Sequence, residues 1–497
     1  MRPSRRGHRL GSPAVVIRRS PRYSLSLVRE WAFIALLILF ASSLGAQVDS
    51  GNGPRNAGGP GEAGGSEASE GPETSAESPE LSFGLSLGLG VQSYPGGTGT
   101  DDVTYQFLAL RPEIAYGKLG LGLDLGINYR FNAGDGNDFA VREEDWVPTE
   151  DRSFWEIYLA KIAYLRWAEK GDPLYARLGS LDDATLGNGF IVGGYANTSY
   201  LPDLRLVGLQ ADVDGELFGV PYLGIETVTG NLAALDLLAA RFYLRPLAGT
   251  ELPVISGLQI GGTFATDREP FYFAEKSDAF DGAVDSSAEV VIWGVDMRLP
   301  LLSRDSVTLA TFADYVLQDE SPGAMVGFGG RLLGYLLYGG QIRYLGENFI
   351  PVYFDGSYDL FRLEQYALYD AEERITPRYW GWQGTLGLAL FDDSLIFRSS
   401  VEGPLGAGSG TNPTLRAGAY VGPGLLAGFT LEGEYTKRDI GSFDDLVDPA
   451  DSLVLMRFGY QTGPTQIALV YRLRHDPFAD GDPWQVSSGL ESTIVLQ

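Results

Sequence analysis

Apolar and polar side chains alternate along most of this chain, and residues 119–131 show the pattern most clearly. The even positions of this segment carry only glycine, Asp124, Asn128 and Arg130. The odd positions are all large and apolar: Leu119, Leu121, Leu123, Leu125, Ile127, Tyr129 and Phe131. A β-strand directs successive side chains to opposite faces. The segment therefore predicts a strand with one apolar face and one small or charged face.

About twenty segments of this kind follow one another, and most reach the ~9–11 residues that a tilted strand needs to cross a bilayer. None contains an apolar run long enough for a membrane helix. The predicted strands are 81–94, 103–116, 119–131, 153–167, 174–181, 204–213, 217–228, 234–247, 256–266, 288–299, 305–317, 324–333, 336–345, 378–391, 394–402, 414–423, 425–436, 452–462, 465–474 and 484–496.

The connections between these segments alternate in length. Short connections include Gly117-Lys118, Asp392-Asp393 and Gly463-Pro464. The long and acidic ones are 132–152, 182–203, 267–287, 346–377 and 437–451. Outer-membrane barrels have short periplasmic turns and long outer loops, so this order predicts an antiparallel barrel with a periplasmic N-terminus. One link, 229–233, is short where a long one is expected, and we therefore predict 16 to 20 strands.

The N-terminal residues have the order of an export signal. Eight arginines precede an apolar run from Trp31 to Phe40, which is followed by small residues up to Ala46. The run is shorter than the ~20 residues of a membrane-spanning helix, so we predict a cleaved signal peptide over 1–46 rather than an uncleaved anchor. Residues 47–80 are rich in glycine, serine and glutamate, and we predict a disordered linker there.

In these features the chain resembles Gram-negative outer-membrane β-barrels of the porin and substrate-channel type over residues 81–497. Aromatic residues near predicted strand ends fit the girdles of that class: Trp155, Trp167, Trp293, Trp380, Trp382, Tyr460, Tyr471 and Trp484. The resemblance implies an all-β transmembrane barrel surrounded by outer-membrane lipid. The chain departs from the class at its last residue, which is Gln497 rather than an aromatic.

Charge limits the range of partners. A chain starting at Gln47 has 29 basic and 63 acidic residues, a net charge of -34. This excess disfavours nucleic acids and anionic surfaces as partners and favours cations. The acidic loops contain no D-x-D-x-D-G spacing, so weak divalent-cation binding is the most that they predict.

The parity opposite to the apolar one gives the residues expected to line the lumen. A charge that faces lipid at the bilayer midplane costs roughly 2–4 kcal/mol, so the sorting of charges onto one parity is informative. Lys161 breaks this sorting and predicts a bulge or a snorkelling side chain. The lumen-lining candidates are Arg166, Arg241, Arg298, Arg331, Arg343, Arg398, Arg457, Arg472, Asp124, Glu156, Asp296, Glu432 and Glu434.

Two long connections are candidates for narrowing the pore. Segment 182–203 is glycine-rich and partly apolar, and it either folds inward as a constriction loop or lies over the rim; its candidate residues are Gly187, Gly189, Phe190, Gly193 and Tyr195. Segment 357–372 has apolar residues at helical spacing and predicts a short helix that caps or plugs the mouth.

Catalytic chemistry has little to build on in this sequence. There is no cysteine, and the two histidines are His8, within the signal, and His475 at a predicted strand end. No phosphate-binding glycine loop occurs, and the sequence predicts no cofactor. We therefore expect a channel or substrate-uptake barrel for small solutes or ions, not an enzyme. The alternatives are an occluded surface barrel whose loops bind a partner and, third, an outer-membrane hydrolase that uses His475.

Overall fold

The computed structural model describes a defined subset of the chain, and the predicted signal peptide 1–46 and linker 47–80 lie outside it. The described residues are 81–94, 103–132, 138–149, 153–201, 204–252, 254–275, 282, 284–304, 306–371, 373, 375–391, 393–406, 411–448, 452–475 and 484–496.

Strands dominate these residues. Their bounds are β1 (Leu81–Tyr94), β2 (Val103–Tyr116), β3 (Leu119–Leu123), β4 (Leu125–Asn132), β5 (Asp138–Val141), β6 (Ile162–Trp167), β7 (Leu174–Gly179), β8 (Gly208–Asp214), β9 (Leu223–Thr229), β10 (Leu237–Leu244), β11 (Gln259–Asp267), β12 (Val290–Arg304), β13 (Val307–Gln318), β14 (Ser321–Leu332), β15 (Leu336–Leu345), β16 (Tyr379–Leu390), β17 (Leu395–Pro404), β18 (Thr414–Leu426), β19 (Phe429–Lys437), β20 (Ser452–Thr462), β21 (Thr465–His475) and β22 (Trp484–Leu496).

These strands form one closed antiparallel barrel. Neighbours in sequence pair with each other, and β22 pairs with β1, with Leu496 opposite Leu85. Asp124 divides one barrel strand into β3 and β4, and both segments pair with β2. The next position in the barrel is shared by β5, which pairs with β4, and β6, which pairs with β3. The barrel therefore has 20 strands. The predicted fold class is confirmed, at the upper end of the predicted strand number.

The alternation of connections gives the barrel a loop end, which carries the long connections, and a turn end. The short connection that departs from this alternation is present in the structure, where residues 230–236 join β9 to β10 at the loop end. Asp319 and Glu320 make a second short link there, between β13 and β14. The irregular spacing therefore reflects short loops and not a miscounted strand pair.

The predicted strand 153–167 is wrong in its first half. Ser153 and Glu156 form a capping box, with each side chain bonded to the other residue's backbone N–H, and this arrangement begins helix α1 (Phe154–Leu159). A Ser-x-x-Glu sequence satisfies two free N–H groups at a helix start, which outweighs the strand pattern here. Strand pairing begins only at Ile162, and its register shifts between Gly122 and Leu123. The irregularity predicted from Lys161 is thus present.

The segment 217–228 also differs from its prediction. Asp214 accepts a hydrogen bond from the N–H of Glu216 at 2.9 Å and begins a 3-10 helix at 215–218, so β9 starts later, at Leu223. The other helices are α2 (Tyr272–Glu275) and α3 (Tyr358–Tyr369), with further 3-10 turns at Glu143–Asp145, Ile255–Gly257 and Phe443–Val447. Within the described residues, no helix is long and apolar enough to cross a bilayer.

The two faces of the barrel wall have opposite character. Phe242, Phe264, Val295 and Val326 belong to an apolar outer belt, and each of them is at least half exposed. The residues that alternate with these positions along each strand face inward. A continuous belt of exposed apolar side chains of this size is stable in lipid and not in water. The outer face of the barrel is therefore its membrane face.

The main apolar core lies inside the barrel. It joins inward strand residues such as Val228, Ile292 and Val316 to side chains of two long connections. The first connection, which we call the inner loop, is residues 180–207 between β7 and β8. The second, the helical loop, is residues 346–378 between β15 and β16. The interior is thus partly filled by the chain's own loops.

The adjacent residues Thr385 and Leu386 test the assignment of the two faces. Leu386 lies on the outer face in the middle of β16 and is 49% exposed, while Thr385 faces inward and is also exposed. In lipid vesicles, Leu386→Arg is expected to lower the free energy of unfolding by about 2–4 kcal/mol, because the charge must enter hydrocarbon. The matched variant Thr385→Arg should cost about 1 kcal/mol or less. Urea titration of both variants measures the difference, and equal costs would contradict the assignment.

Candidate functional site: the barrel interior

The tip of the inner loop reaches far down the inner wall. The N–H of Gly187 donates to Glu226 Oε2 at 2.9 Å. The Asn188 side-chain amide donates to Asp314 Oδ2 at 2.9 Å and to the carbonyl of Met297 at 3.2 Å. Met297 is seven residues from Val290, the loop end of β12. At about 3.3 Å per residue, the loop tip contacts the wall roughly 20 Å along that strand.

A buried ion cluster holds the loop tip. Arg241 is 2% exposed, and its Nε donates to Asp296 at 2.8 Å while its other nitrogens pair with Asp296 at 2.6 Å and Glu226 at 3.0 Å. A Cβ atom on Gly187 would lie 2.7 Å from the Arg241 Nε, and the φ of Gly187 is +57°. Only glycine fits this contact and this backbone conformation. Leaving a buried charge unpaired costs about 3–5 kcal/mol, so the cluster fixes the position of the tip.

The two loops also pair with each other through their backbones. The N–H groups of Val352 and Phe354 donate to the carbonyls of Phe190 and Ile191 at 3.1 and 3.0 Å, and the N–H of Gly193 donates to the carbonyl of Phe354 at 3.1 Å. A Cβ atom on Gly193 would lie 2.5 Å from the carbonyl oxygen of Gly189. The structure thus brings the five predicted constriction-loop residues, Gly187, Gly189, Phe190, Gly193 and Tyr195, into one packed unit with the helical loop, in which Phe190 and Tyr195 are buried.

Helix α3 anchors the helical loop at the loop ends of β10 and β11. Arg362 donates to Asp236 at 2.7 Å and to Asp267 at 2.6 Å, and Tyr358 also donates to Asp267. The Tyr195 hydroxyl of the inner loop donates to the Asp359 carboxyl at 3.3 Å. The predicted helix is therefore confirmed at 358–369, and its polar face is directed at acidic residues on the barrel rim.

Asp359 is the member of this cluster whose charge is least compensated. Burial raises the pKa of Asp359 to about 8, against the lowering effect of Arg362, and the carboxylates of Asp236 and Asp267 add to the rise. The hydrogen bond from Tyr195 acts in the lowering direction. The carboxyl is therefore largely protonated near neutral pH.

A second chain of charges ties the helical loop to the opposite part of the wall. Arg343 pairs with Glu402 at 2.5 Å, Glu402 with Arg416 at 2.8 Å, Arg416 with Asp355 at 2.6 Å, and Asp355 with Arg438 at 3.3 Å. The four strand-side members extend inward from β15, β17, β18 and the end of β19, while Asp355 belongs to the helical loop. The loop is thus held on both sides of the barrel.

The remaining lumen candidates are distributed around the wall. Asp124 pairs with Arg111 at 3.2 Å and with Arg205 of the inner loop at 2.5 Å, and Arg457 pairs with Glu491 at 3.2 Å. Arg166 lies 3.7 Å from Glu169 at the turn end. The candidates Arg298, Arg331, Arg398, Arg472, Glu432 and Glu434 occupy inward strand positions, and both glutamates are exposed.

Glu156 is the one lumen candidate that lies in a helix, whereas Asp124 occupies the break between β3 and β4. Its carboxylate caps α1 and accepts a hydrogen bond from the Tyr272 hydroxyl at 2.7 Å. The inward parity assigned to it came from extending the strand pattern through a helix start, so that assignment is wrong.

Sequence reasoning missed several of the residues that hold the loops. Asp236, Asp267, Asp355, Arg362 and Arg438 all lie at strand ends or within loops, where alternation gives no information. The only available signal is an acidic residue at the loop end of successive strands. Among the residues that the structure describes, no group of three or more histidine and carboxylate side chains is arranged to hold a metal ion.

Comparison with known proteins gives no family. No family model matches the sequence, and no curated protein matches it. Among solved structures, the chain is similar to OpdL of Pseudomonas aeruginosa, with 10% identity and a TM-score of 0.32 over 84% of this chain and 99% of OpdL. It is also similar to Wzi, an Escherichia coli outer-membrane protein involved in group 1 capsule assembly, with 11% identity and a TM-score of 0.32 over 83% of this chain and 84% of Wzi. Pseudomonas aeruginosa OpdQ has 11% identity and a TM-score of 0.30, with 84% and 98% of the two chains covered.

Proposed function

We propose that this chain is a bacterial outer-membrane channel that passes small solutes or ions through a narrowed, charged lumen. The observation that carries the proposal is the inner face of the wall, where Thr385, Glu432 and Glu434 are exposed to solvent while the outer face is apolar. A barrel interior that excluded water throughout would leave such carboxylates without solvation, at a large cost in free energy.

The two loops define where solute has room to pass. The inner loop and helical loop fill the interior beside β9 to β15, where the apolar core and the Arg241 and Arg362 clusters lie. The exposed glutamates lie on β19, outside that filled part. Charged side chains in a narrowed pore act on permeating ions at short range, and in this proposal they set the ion preference.

A second candidate function is an occluded barrel whose loops bind a surface partner. It is favoured by the extent to which the loops are locked, since Tyr353, Phe354 and Tyr358 are wholly buried and Arg362 is 2% exposed. The same interactions allow a channel to be distinguished from an occluded barrel, because weakening the contacts that hold the loops should increase the current through a channel.

The first test is planar-bilayer conductance of the purified chain and of Arg362→Gln. The variant leaves Asp236 and Asp267 buried without their cation, which is expected to weaken the anchoring of the helical loop by about 3–5 kcal/mol. We expect discrete channels from the unmodified chain and a larger current from the variant. Arg268→Gln removes an exposed arginine from a neighbouring loop and should leave the current unchanged. Silent bilayers with both the chain and Arg362→Gln would favour the occluded barrel.

The second test is ion preference. The net charge of -34 for residues 47–497 and the exposed Glu432 and Glu434 predict that cations pass more easily than anions. The reversal potential across a salt gradient measures this preference directly. Replacing both glutamates by glutamine should reduce it, and a preference for anions in the unmodified chain would contradict the prediction.

The third test is pH dependence. Because the folded-state pKa of Asp359 is raised to about 8, folding of the helical loop is favoured at low pH and loses stability as pH rises from about 4 towards 8. The charged Asp359 then faces Asp236 and Asp267 as well as Arg362, next to Tyr195. We expect a larger current at pH 9 than at pH 5, and a smaller difference in Asp359→Asn. An unchanged pH difference in that variant would exclude Asp359 as its source.

A further inference from the structure

A cavity of about 320 Å³ lies between the helical loop and the inner wall formed by β15 to β18 and the two residues that follow β19. This volume is at the lower end of the ~300–1,000 Å³ range of small-molecule sites. Its lining includes the whole charge chain of Arg343, Glu402, Arg416, Asp355 and Arg438. The cavity is therefore large enough for a small solute, and its polar groups converge from both the wall and the loop.

The charge chain carries one more cation than anions. Its three arginines alternate with two carboxylates, so one positive charge has no counterpart within the chain of contacts. The side chains of Arg416 and Arg438 are 29% and 25% exposed, whereas those of Asp355 and Glu402 are 5% and 15% exposed. The guanidinium groups of Arg416 and Arg438 are therefore more accessible than either carboxylate.

Asp439 also lines the cavity, but it affects this balance less. It is exposed and accepts a hydrogen bond from the Asn412 amide at 2.9 Å. Solvent and salt screen exposed charges far more than buried ones. Glu364 of α3 also interacts electrostatically with Arg438 and is likewise exposed. The charge chain itself thus has one more positive than negative group, although the protein as a whole is strongly acidic.

Two polar atoms of the lining have unused hydrogen-bonding capacity. Within the described part of the chain, neither the Nε of Arg438 nor the Oε1 of Gln365 has a hydrogen-bond partner, and Gln365 is 7% exposed. Buried polar atoms are usually paired. By contrast, the side chain of Arg343 is only 3% exposed and bonds Glu402, Gln341 and Gln383, so its role is to position Glu402.

We propose that this cavity binds a small solute with a single anionic group, a carboxylate or a phosphate, through the guanidinium groups of Arg416 and Arg438. The proposal rests on the proposed function, since it names a solute class for the same interior. Guanidinium groups present parallel N–H donors that fit the two oxygens of such an anion. The Gln365 amide is placed to bond a polar part of the same solute.

The test compares probes of similar size and different charge on the full chain in detergent. Gluconate carries a carboxylate, glucose 6-phosphate a phosphate, glucose no charge and glucosamine a positive charge. By titration calorimetry we expect saturable binding of gluconate, glucose 6-phosphate or both, at least about tenfold tighter than glucose or glucosamine. Equal affinity for all four probes, or binding of none, would overturn the inference.

Three variants test whether the anionic probe binds in the cavity. Arg438→Gln should weaken binding of the anionic probe about tenfold or more, while Arg268→Gln removes an equal charge from an exposed loop and should leave it unchanged. Thr414→Trp fills the cavity from an inward position of β18 without altering charge and should abolish binding. This variant keeps the test valid if Arg438→Gln does not fold. Undiminished binding in a folded Thr414→Trp variant would place the anion elsewhere and overturn the proposal.

The binding experiment tests the anion site and the conductance experiment tests the proposed function, so either proposal can fail without the other. An anionic probe that binds to a chain without channel activity would contradict the proposed function and support the anion site. Channels that conduct without any binding of the anionic probes would support the function and overturn the site. A cation preference in bulk conductance is compatible with the anion site, because exposed acidic groups set the former and the buried charge chain sets the latter.

Discussion

The constraint on which this structure depends is that no backbone N–H or C=O group can remain unpaired in hydrocarbon. Each such group would cost several kcal/mol, which restricts spanning structures to helices and closed barrels. Here the last strand pairs with the first, and Leu496 lies opposite Leu85, so the sheet has no free edge. With closure fixed, every strand has one face in lipid and one towards the interior. The sorting of apolar residues outward and charges inward follows from this geometry.

The interior then has its own balance of burial and charge. Two loops enter it and bring apolar side chains that pack like the core of a soluble protein. The same loops meet charged residues of the wall, which must be paired when water is displaced. Arg241 with Asp296 and Arg362 with Asp267 meet that requirement and at the same time fix the loop positions. Packing and pairing together make the filled part of the lumen a single packed unit.

The filled part does not extend around the whole wall, and this asymmetry gives the interior its functional interest. Beside β15 to β18 the helical loop covers a polar cavity, and on β19 the inward glutamates remain exposed. The cavity has a local excess of positive charge within a protein of strongly negative charge. Under the proposed function, a solute would meet acidic groups at the loops and the guanidinium groups of Arg416 and Arg438 at the cavity.

The sequence by itself determined the barrel. Alternation with period two predicted the bounds of strands such as β15 and β20 to the residue, and it predicted which of their residues face outward and which face inward. It could do so because lipid on one side and the interior on the other act on every position of a strand. It failed at α1, where a local capping box overrode the strand pattern at Glu156. It also predicted a short helix within 357–372 from its spacing, and the structure has a helix at 358–369. Only the tertiary structure decided which loop residues meet, since Asp355 and Arg438, or Asp267 and Arg362, are far apart in the chain and follow no period. Their contacts depend on how the closed sheet arranges its loop ends in space, and short-range patterns carry no information about that arrangement.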